Sequence, residues 1–375
     1  MKILHIANGY VDSSLYRHFF TMLGKYPLNQ AVFIPIRKKS QTGILKPEVR
    51  TIETHYRIIV NSFLYRLFFH LKIRKELEAL SSSVNISEYQ IIHAHTLFSD
   101  GAVANALYKK FNIPYIIAVR NTDINVFLKY LLHLKRTGRE IILNSEKIIF
   151  LSISYKTRLV NYYKDISDII EAKSVVIPNG IDEFWYNNKP EIKIPKEKIE
   201  LIFAGEIRWN KNIHNVIKAI ERLMPSLDIN FNVVGEGLND ERWYLIFLKW
   251  LILRKPHIRI LKAVPKEELI LMYKAALIFI MPSFKESFGL VYAEALSQNI
   301  PVIYSNKEGF DGWFDAGKIG YPVDPRSSLD IADKIMLILD NYYEIQTNIV
   351  SAGRCFSWNT ICEKYYDLYN NIILK

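Results

Sequence analysis

Cysteine is almost missing from the 375 residues: only Cys355 and Cys362 occur, seven apart near the C-terminus. That spacing matches neither a metal-ligand pair nor a redox motif, so a reduced, cytoplasmic compartment is the expectation. No apolar run reaches the ~18 residues that a membrane-crossing helix needs, and none is expected. The two richest stretches are interrupted, 58–71 by Asn61 and Arg66, and 244–253 by Lys249. Ile3 to Ala7 is too short for a signal peptide and reads as a first strand. Internal repeats and low-complexity segments are also missing.

What is present points to two domains. Half of the residues are hydrophobic, ample for two cores in a chain of this length. The net charge of +11 is unevenly spread. Residues 1–187 hold 25 Lys and Arg against 15 Asp and Glu, and residues 188–375 hold 24 against 23. An excess confined to one half suggests an anionic partner there, with plain Lys-rich solubility as the alternative. No nucleic-acid motif accompanies the charge, so nucleic acid is not the expected partner.

The chain opens as strand, turn and helix: Met1 to Ala7, Asn8-Gly9-Tyr10, then Ser14 to Leu23. This is how doubly wound α/β domains begin. Gly9 allows close approach of a ligand, although a plain tight turn explains it equally well. Ala31 to Ile36 reads as the second strand. From Tyr56 to Leu80 the spacing predicts a helix. Val60, Phe63, Leu64, Leu67, Phe68 and Leu71 recur at three- and four-residue steps, with Arg57, Arg66, Lys72, Arg74 and Lys75 beside them. Such a stripe is a core face, or a face that also touches anionic lipid. Strands follow at 91–95, 114–119, 148–152 and 175–177. The polar, Pro-containing stretch 185–198 reads as a linker, and Ile199 to Phe203 starts a second strand–turn–helix series.

The densest chemistry lies between Glu286 and Glu294. The run Ala276 to Met281 reads as a strand, and Pro282-Ser283 ends it, because proline cannot donate to a sheet ladder. A helix is expected from about Gly289 to Gln298. Free amides and the positive end of the helix dipole favour an anion at such a corner. Glu286 stands in the turn, in reach of sugar hydroxyls. Glu294 lies further into the helix, placed to accept from the vicinal hydroxyls of a ribose. Diphosphate on the amides and hydroxyls on the carboxylates would be recognition of a nucleotide sugar.

The stretch from Glu286 to Glu294, with Pro282-Ser283 before it and Ala295-Leu296-Ser297 and Pro301-Val302 after it, resembles the E-x7-E signature of retaining GT-B glycosyltransferases of family 4, group 1. Val176-Ile177-Pro178-Asn179-Gly180-Ile181-Asp182 and the turn Gly235-Glu236-Gly237 resemble other segments of that family. The resemblance spans nearly the whole chain. It is strongest at 175–182 and 276–305, and weakest between 37 and 85. It implies an α/β chain of GT-B architecture, two Rossmann-like doubly wound domains facing a cleft. The acceptor-side domain would be 1–187, joined by a C-terminal helix at 357–375 that crosses back onto it. The nucleotide-sugar donor domain would be 199–356.

The resemblance also implies roles. Glu286 and Lys211 would act in catalysis. Glu294, Ser287, Phe288, Gly289, Leu290 and Gly235 would bind the donor, and Gly9, Arg120 and Asp123 would face the sugar or acceptor. Four positions depart from the pattern, one of them Asn121, which stands for a glycine. Arg120 stands for a histidine, and is read either as a structural partner of Asp123 or as a holder of an anionic group. Asn212 stands for a glycine. Glu206 stands for an arginine on the diphosphate. Arg208, two residues on in the same loop, would replace that arginine, with Glu206 turned aside or paired to it. Asp-x-Asp occurs nowhere, so no metal and no cofactor are expected, and cationic side chains would hold the diphosphate. The implied reaction is retaining transfer from a nucleoside-diphosphate sugar to a glycan or lipid-linked acceptor, in cell-surface polysaccharide synthesis. The protein would be cytoplasmic and peripheral at the inner face of the membrane. The alternative is a non-catalytic subunit that binds a partner glycosyltransferase or glycan.

Overall fold

The computed structural model describes residues 1–44, 52–59, 68–188, 193 and 198–374. Two units divide the chain, Met1–Gly180 with Trp358–Lys375, and Ile181–Ser357.

The first unit is built on seven parallel strands: β1 (Lys2–Ile6), β2 (Asn29–Ile36), β3 (Ile52–Ile58), β4 (Ile91–Ala94), β5 (Tyr115–Val119), β6 (Lys147–Phe150) and β7 (Ser174–Val176). Their order is β3-β2-β1-β4-β5-β6-β7. Helices cover both faces, so the central strands are apolar without alternation. One face packs on the helices Phe69–Ser81 and Ser99–Phe111. The other packs on Ser14–Leu23 and Trp358–Ile373, the latter through Trp358, Ile361, Tyr365 and Tyr369. Between the sheet and these two helices lie His5, His93 and His95. His5 Nδ1 is 3.2 Å from His95 Nε2, and His93 Nδ1 is 2.7 Å from the Tyr369 hydroxyl. Burial keeps the three imidazoles neutral, bringing His5 down to about 3 and the other two well below their ordinary range.

One expectation is corrected here. Tyr56 and Arg57 lie in β3, with Tyr56 opposite Ile34 of β2, and the helix starts only at Phe69. Ile52, Thr54, Tyr56 and Ile58 alternate along the strand and take the period of a sheet. Val60, Phe63, Leu64, Arg66 and Leu67 fall outside the described residues.

The second unit has six parallel strands: β8 (Lys198–Ala204), β9 (Asp228–Val234), β10 (Ile258–Leu261), β11 (Ile278–Ile280), β12 (Val302–Ser305) and β13 (Gly320–Val323). Their order is β10-β9-β8-β11-β12-β13. In both sheets the third, second, first and fourth strands run side by side. The order therefore reverses beside β1 and β4, and again beside β8 and β11. In open α/β sheets ligands bind outside the carboxyl ends of the strands at such a switch point.

The second unit also takes residues that the sequence assigns to the first domain and the linker. Glu183–Asn187 is a short helix capped by the Asp182 carboxylate. Trp185 and Tyr186 are buried in the core of this unit, and Gln298 donates to the Trp185 carbonyl. Two large aromatics in this stretch make it core, which its polar neighbours conceal. Of the rest of the linker reading, 189–192 and 194–197 lie outside the described residues. Among the described residues no helix is long and apolar enough to cross a membrane.

Candidate active site

The loop after β11 carries the first glutamate of the pair. The helix Leu290–Ser297 begins behind Gly289, whose φ of +81° lies in the left-handed region. A Cβ there would also come within 2.4 Å of the Tyr292 ring, so this corner requires glycine. Glu286 turns its Oε2 to the Lys211 ammonium at 2.7 Å, while Oε1 accepts from the Ser287 N–H. Lys211 and Glu286 expose only 19% and 13% of their side chains. A second loop clasps the turn: Glu286 N–H donates to Glu308 Oε2, and Gly309 N–H donates to the Glu286 carbonyl. A Cβ on Gly309 would lie 2.3 Å from the Ser287 backbone.

Lys211 is brought there by the loop after β8. Phe284 N–H donates to the Asn210 carbonyl, and Asn210 Nδ2 to that of Lys285, both at 2.8 Å. Asn212 has φ +59°, the conformation that the family's glycine would supply, and asparagine tolerates it better than most residues. Its buried amide donates to the Pro282 and Pro325 carbonyls at 3.0 and 2.6 Å. Asn212 thus ties its loop to the loops after β11 and β13.

The remaining donor-side positions separate. Phe288 puts its ring in the core against Phe310, Trp313 and Phe356, leaving only its backbone for a ligand. Ser287 and Leu290 flank the helix start. Gly235 lies just past β9, its N–H donating to the Leu261 carbonyl. Among the described residues the Glu294 carboxylate has no hydrogen bond or ion pair. Burial pushes it up to about 7, with nearby Asp182 adding to the rise and Lys266 opposing it. Asp182 and Lys266 pair with each other at 2.8 Å.

Arg208 is not free for an anion. Its Nε donates to Glu241 at 3.0 Å and its Nη2 to Asp240 at 3.2 Å, with Glu206 3.8 Å away. Glu241 also accepts from the Trp209 N–H. Three carboxylates thus hold the guanidinium that the sequence reading places on the diphosphate. Glu206 is beside Arg208, as that reading allows.

In the first unit a cavity of about 240 Å³ opens outside β1 and β4, lined by Asn8, Gly9, Lys72, Glu76, Thr96 and Asp123 among others. Gly9 has φ −90°, and a Cβ on it would touch only the Tyr16 ring at 3.7 Å, so the turn itself does not require glycine. Asn8 donates through Nδ2 to Asp100 at 2.6 Å and to Glu76 at 3.3 Å. Burial raises both acids, Asp100 to about 7. Lys72 Nζ stands 3.4 Å from Glu76. Asp123 accepts from the N–H groups of Leu97, Phe98 and Arg120, and burial pushes it up to about 6. Arg120 meets Asp123 through its backbone and sends Nε to the His95 carbonyl. Both residues have local bonding duties in this structure.

Sequence reading missed Glu308, Asn8, Glu76, Asp100, Asp182 and Lys266. Asn8 and Asp182 alone carried a signal, Asn8 beside Gly9 in the turn after the first strand and Asp182 at the end of the segment Val176 to Asp182. Among the described residues, one group offers three potential metal ligands, His5, His93 and His95, with a ring nitrogen from each within 4.8 Å of the others. No carboxylate or cysteine belongs to it.

Comparisons with known proteins agree along the chain. Residues 20–183 match the family model described as "Glycosyltransferase Family 4", and residues 186–355 the one described as "Glycosyl transferases group 1". A D-inositol 3-phosphate glycosyltransferase of Corynebacterium glutamicum is 28% identical over 76% of this chain and 73% of its own. A putative teichuronic acid biosynthesis glycosyltransferase of Bacillus subtilis, TuaC, is 25% identical over 65% and 60%. Among solved structures, sucrose-phosphate synthase of Thermosynechococcus elongatus superposes with a TM-score of 0.75 at 17% identity, over 100% of this chain and 99% of that one. HepE of Anabaena in complex with UDP gives 0.72, also at 17% identity, over 99% and 100%.

Proposed function

We propose, for a chain that belongs to the group 1 glycosyltransferases of family 4, that it transfers a hexosyl group from a nucleoside-diphosphate sugar to a glycan or lipid-linked acceptor, with retention. The chain is a glycosyltransferase of GT-B type; donor, stereochemistry and acceptor are our reading. The observation that carries it is the Lys211–Glu286 pair at the N-terminus of the Leu290–Ser297 helix. The diphosphate would lie on the amides of 287–290, with the helix dipole and the Lys211 ammonium facing it. Glu286 would hold sugar hydroxyls, and Glu294, once ionised, those of the ribose. Gly235 would let the diphosphate approach the backbone.

In this reaction the bond from the anomeric carbon to the phosphate oxygen breaks. The acceptor oxygen bonds to the same face of that carbon, and its proton passes to the departing phosphate. The protein orients the reactants and stabilises charge on the leaving group. Lys211 and the amides would do this without a metal. The HepE complexes with UDP and UDP-glucose make a uridine nucleotide the first donor to try. TuaC favours an acceptor in surface polysaccharide synthesis.

The test is a thermal-shift screen of the purified chain against UDP-, GDP- and ADP-sugars, then a transfer assay in excess EDTA. A selective binder raises the melting temperature with the logarithm of its concentration, and transfer should survive the chelator. Strict dependence on Mn²⁺ or Mg²⁺ would overturn the metal-free reading. Binding with neither transfer nor donor hydrolysis would favour the non-catalytic alternative.

A further inference from the structure

The helix Arg242–Leu251 in the second unit shows two faces. Tyr244 and Leu248 are buried in the core. On the opposite side Trp243, Ile246 and Trp250 expose 53%, 62% and 69% of their surface, and Leu253, in the turn beyond, 75%. At about 100° per residue, positions 243, 246 and 250 form one stripe. Arg242 and Lys249 flank it on the same exposed arc. Trp209, itself exposed, extends the patch, its ring centroid 5.7 Å from that of Trp243. Large apolar side chains grouped in this way on a surface mark a binding face.

The surrounding charge indicates what binds. From Arg242 to Lys266 the chain holds seven Lys and Arg and not one Asp or Glu. Lys255 is paired to Glu221, whereas Arg242, Lys249 and Arg254 are exposed. The acids bordering the patch, Asp240 and Glu241, are taken up by Arg208, so docking two copies through this face would oppose the like charges of Arg242, Lys249 and Arg254. Tryptophan suits a boundary that is apolar on one side and wet on the other, and basic residues beside it suit anionic headgroups. We propose that this face seats the protein on an anionic lipid bilayer, with the two tryptophans at headgroup depth. The surface lies in the second unit, whereas the excess charge of the sequence lies in the first half. The proposal does not rest on the donor reading, because its probe is lipid alone.

The experiment is co-sedimentation of the full chain with phosphatidylcholine vesicles, with and without phosphatidylglycerol, beside quenching of tryptophan emission by brominated lipid. Wild type should bind the phosphatidylglycerol vesicles and be quenched. Trp243→Ser/Trp250→Ser should bind roughly tenfold more weakly and lose most of the quenching. Arg242→Gln/Lys249→Gln should lose much of the preference for the anionic lipid. All these side chains are exposed, so melting temperatures should hold, and a matched melt separates lost binding from lost fold. Equal binding by wild type and the tryptophan variant would overturn the proposal. So would no binding to either vesicle, or a self-association that the tryptophan substitutions abolish.

Discussion

At the carboxyl ends of β1 and β4 the first unit buries three carboxylates: Glu76 and Asp123 line one cavity, and Asp100 accepts from Asn8, which lines it too. Burial raises all three. At the corresponding ends of β8 and β11 the second unit sets Glu286 against Lys211, and Arg208 against Glu206, Asp240 and Glu241. The strand order is the same, but the loops solve opposite problems. Hydrogen bonds from Asn8 and from backbone amides, with one ion pair from Lys72 to Glu76, line the first crevice, whereas ion pairs dominate the second. A leaving diphosphate needs preorganised positive charge, which the second crevice supplies in Lys211, paired to Glu286 just before the Leu290–Ser297 helix.

The largest expected effect tests that contrast directly. Lys211→Ala should lower turnover by about 10²-fold or more, by analogy with deleting one donor to a developing oxyanion. Arg208→Ala should cost far less, because three carboxylates already occupy the guanidinium. Steady-state kinetics of the two variants would decide. Equal losses would mean that Arg208 leaves its acids for the donor, and would restore the role that the sequence suggests.

An intermediate effect sharpens the contrast at Glu294, a carboxylate of the second unit that resembles those of the first. Its value of about 7 in the free protein means that about half is protonated at neutral pH. Ribose hydroxyls donate to the ionised form, so nucleotide affinity should rise as pH passes upward through 7. A gain of roughly tenfold between pH 6 and pH 8 is expected by calorimetry. Glu294→Gln should show much less. Comparing one nucleotide on both proteins cancels the nucleotide's own titration. Parallel pH profiles would remove Glu294 from the ribose.

The smallest effect concerns the first unit. Asp100 has a folded value of about 7 against an ordinary 3.8. A raised acid contributes stability below its unfolded value and loses it as pH rises through the folded one. Asparagine can still accept from Asn8. Asp100→Asn should therefore gain on wild type between pH 5 and pH 8, by roughly 2–3 kcal/mol in urea unfolding. A difference between the two proteins that does not change with pH would mean that Asp100 is ionised in the fold, and the contrast between the crevices would fail.

Much of this was legible in the sequence, for identifiable reasons. The turn Pro282 to Gly289 could be placed because proline and a left-handed glycine leave local signatures. The parallel strands could be placed because burial on both faces makes them continuous apolar runs. Tyr56 was misread because aromatic and β-branched residues fit either period in a short window. The acids around Arg208 were invisible because Asp240 and Glu241 lie 32 and 33 residues away. Glu308, the clasp on Glu286, is 22 residues distant. Asn212 showed as a departure from a glycine position, yet its φ and its two carbonyl partners are tertiary facts.

The helix Trp358–Ile373 completes the core of the first unit, although about 180 residues separate it from Gly180. A ribosome adding about 5–20 residues per second takes roughly ten to thirty-five seconds to make that interval. Throughout it, the sheet face that holds His5 and Ile116 lacks Trp358, Tyr365 and Tyr369. The second unit is contiguous and waits for nothing. The order of maturation is therefore set to run against the order of synthesis: the half made first finishes last, and a nascent chain holds an unfinished apolar face open for a chaperone to cover.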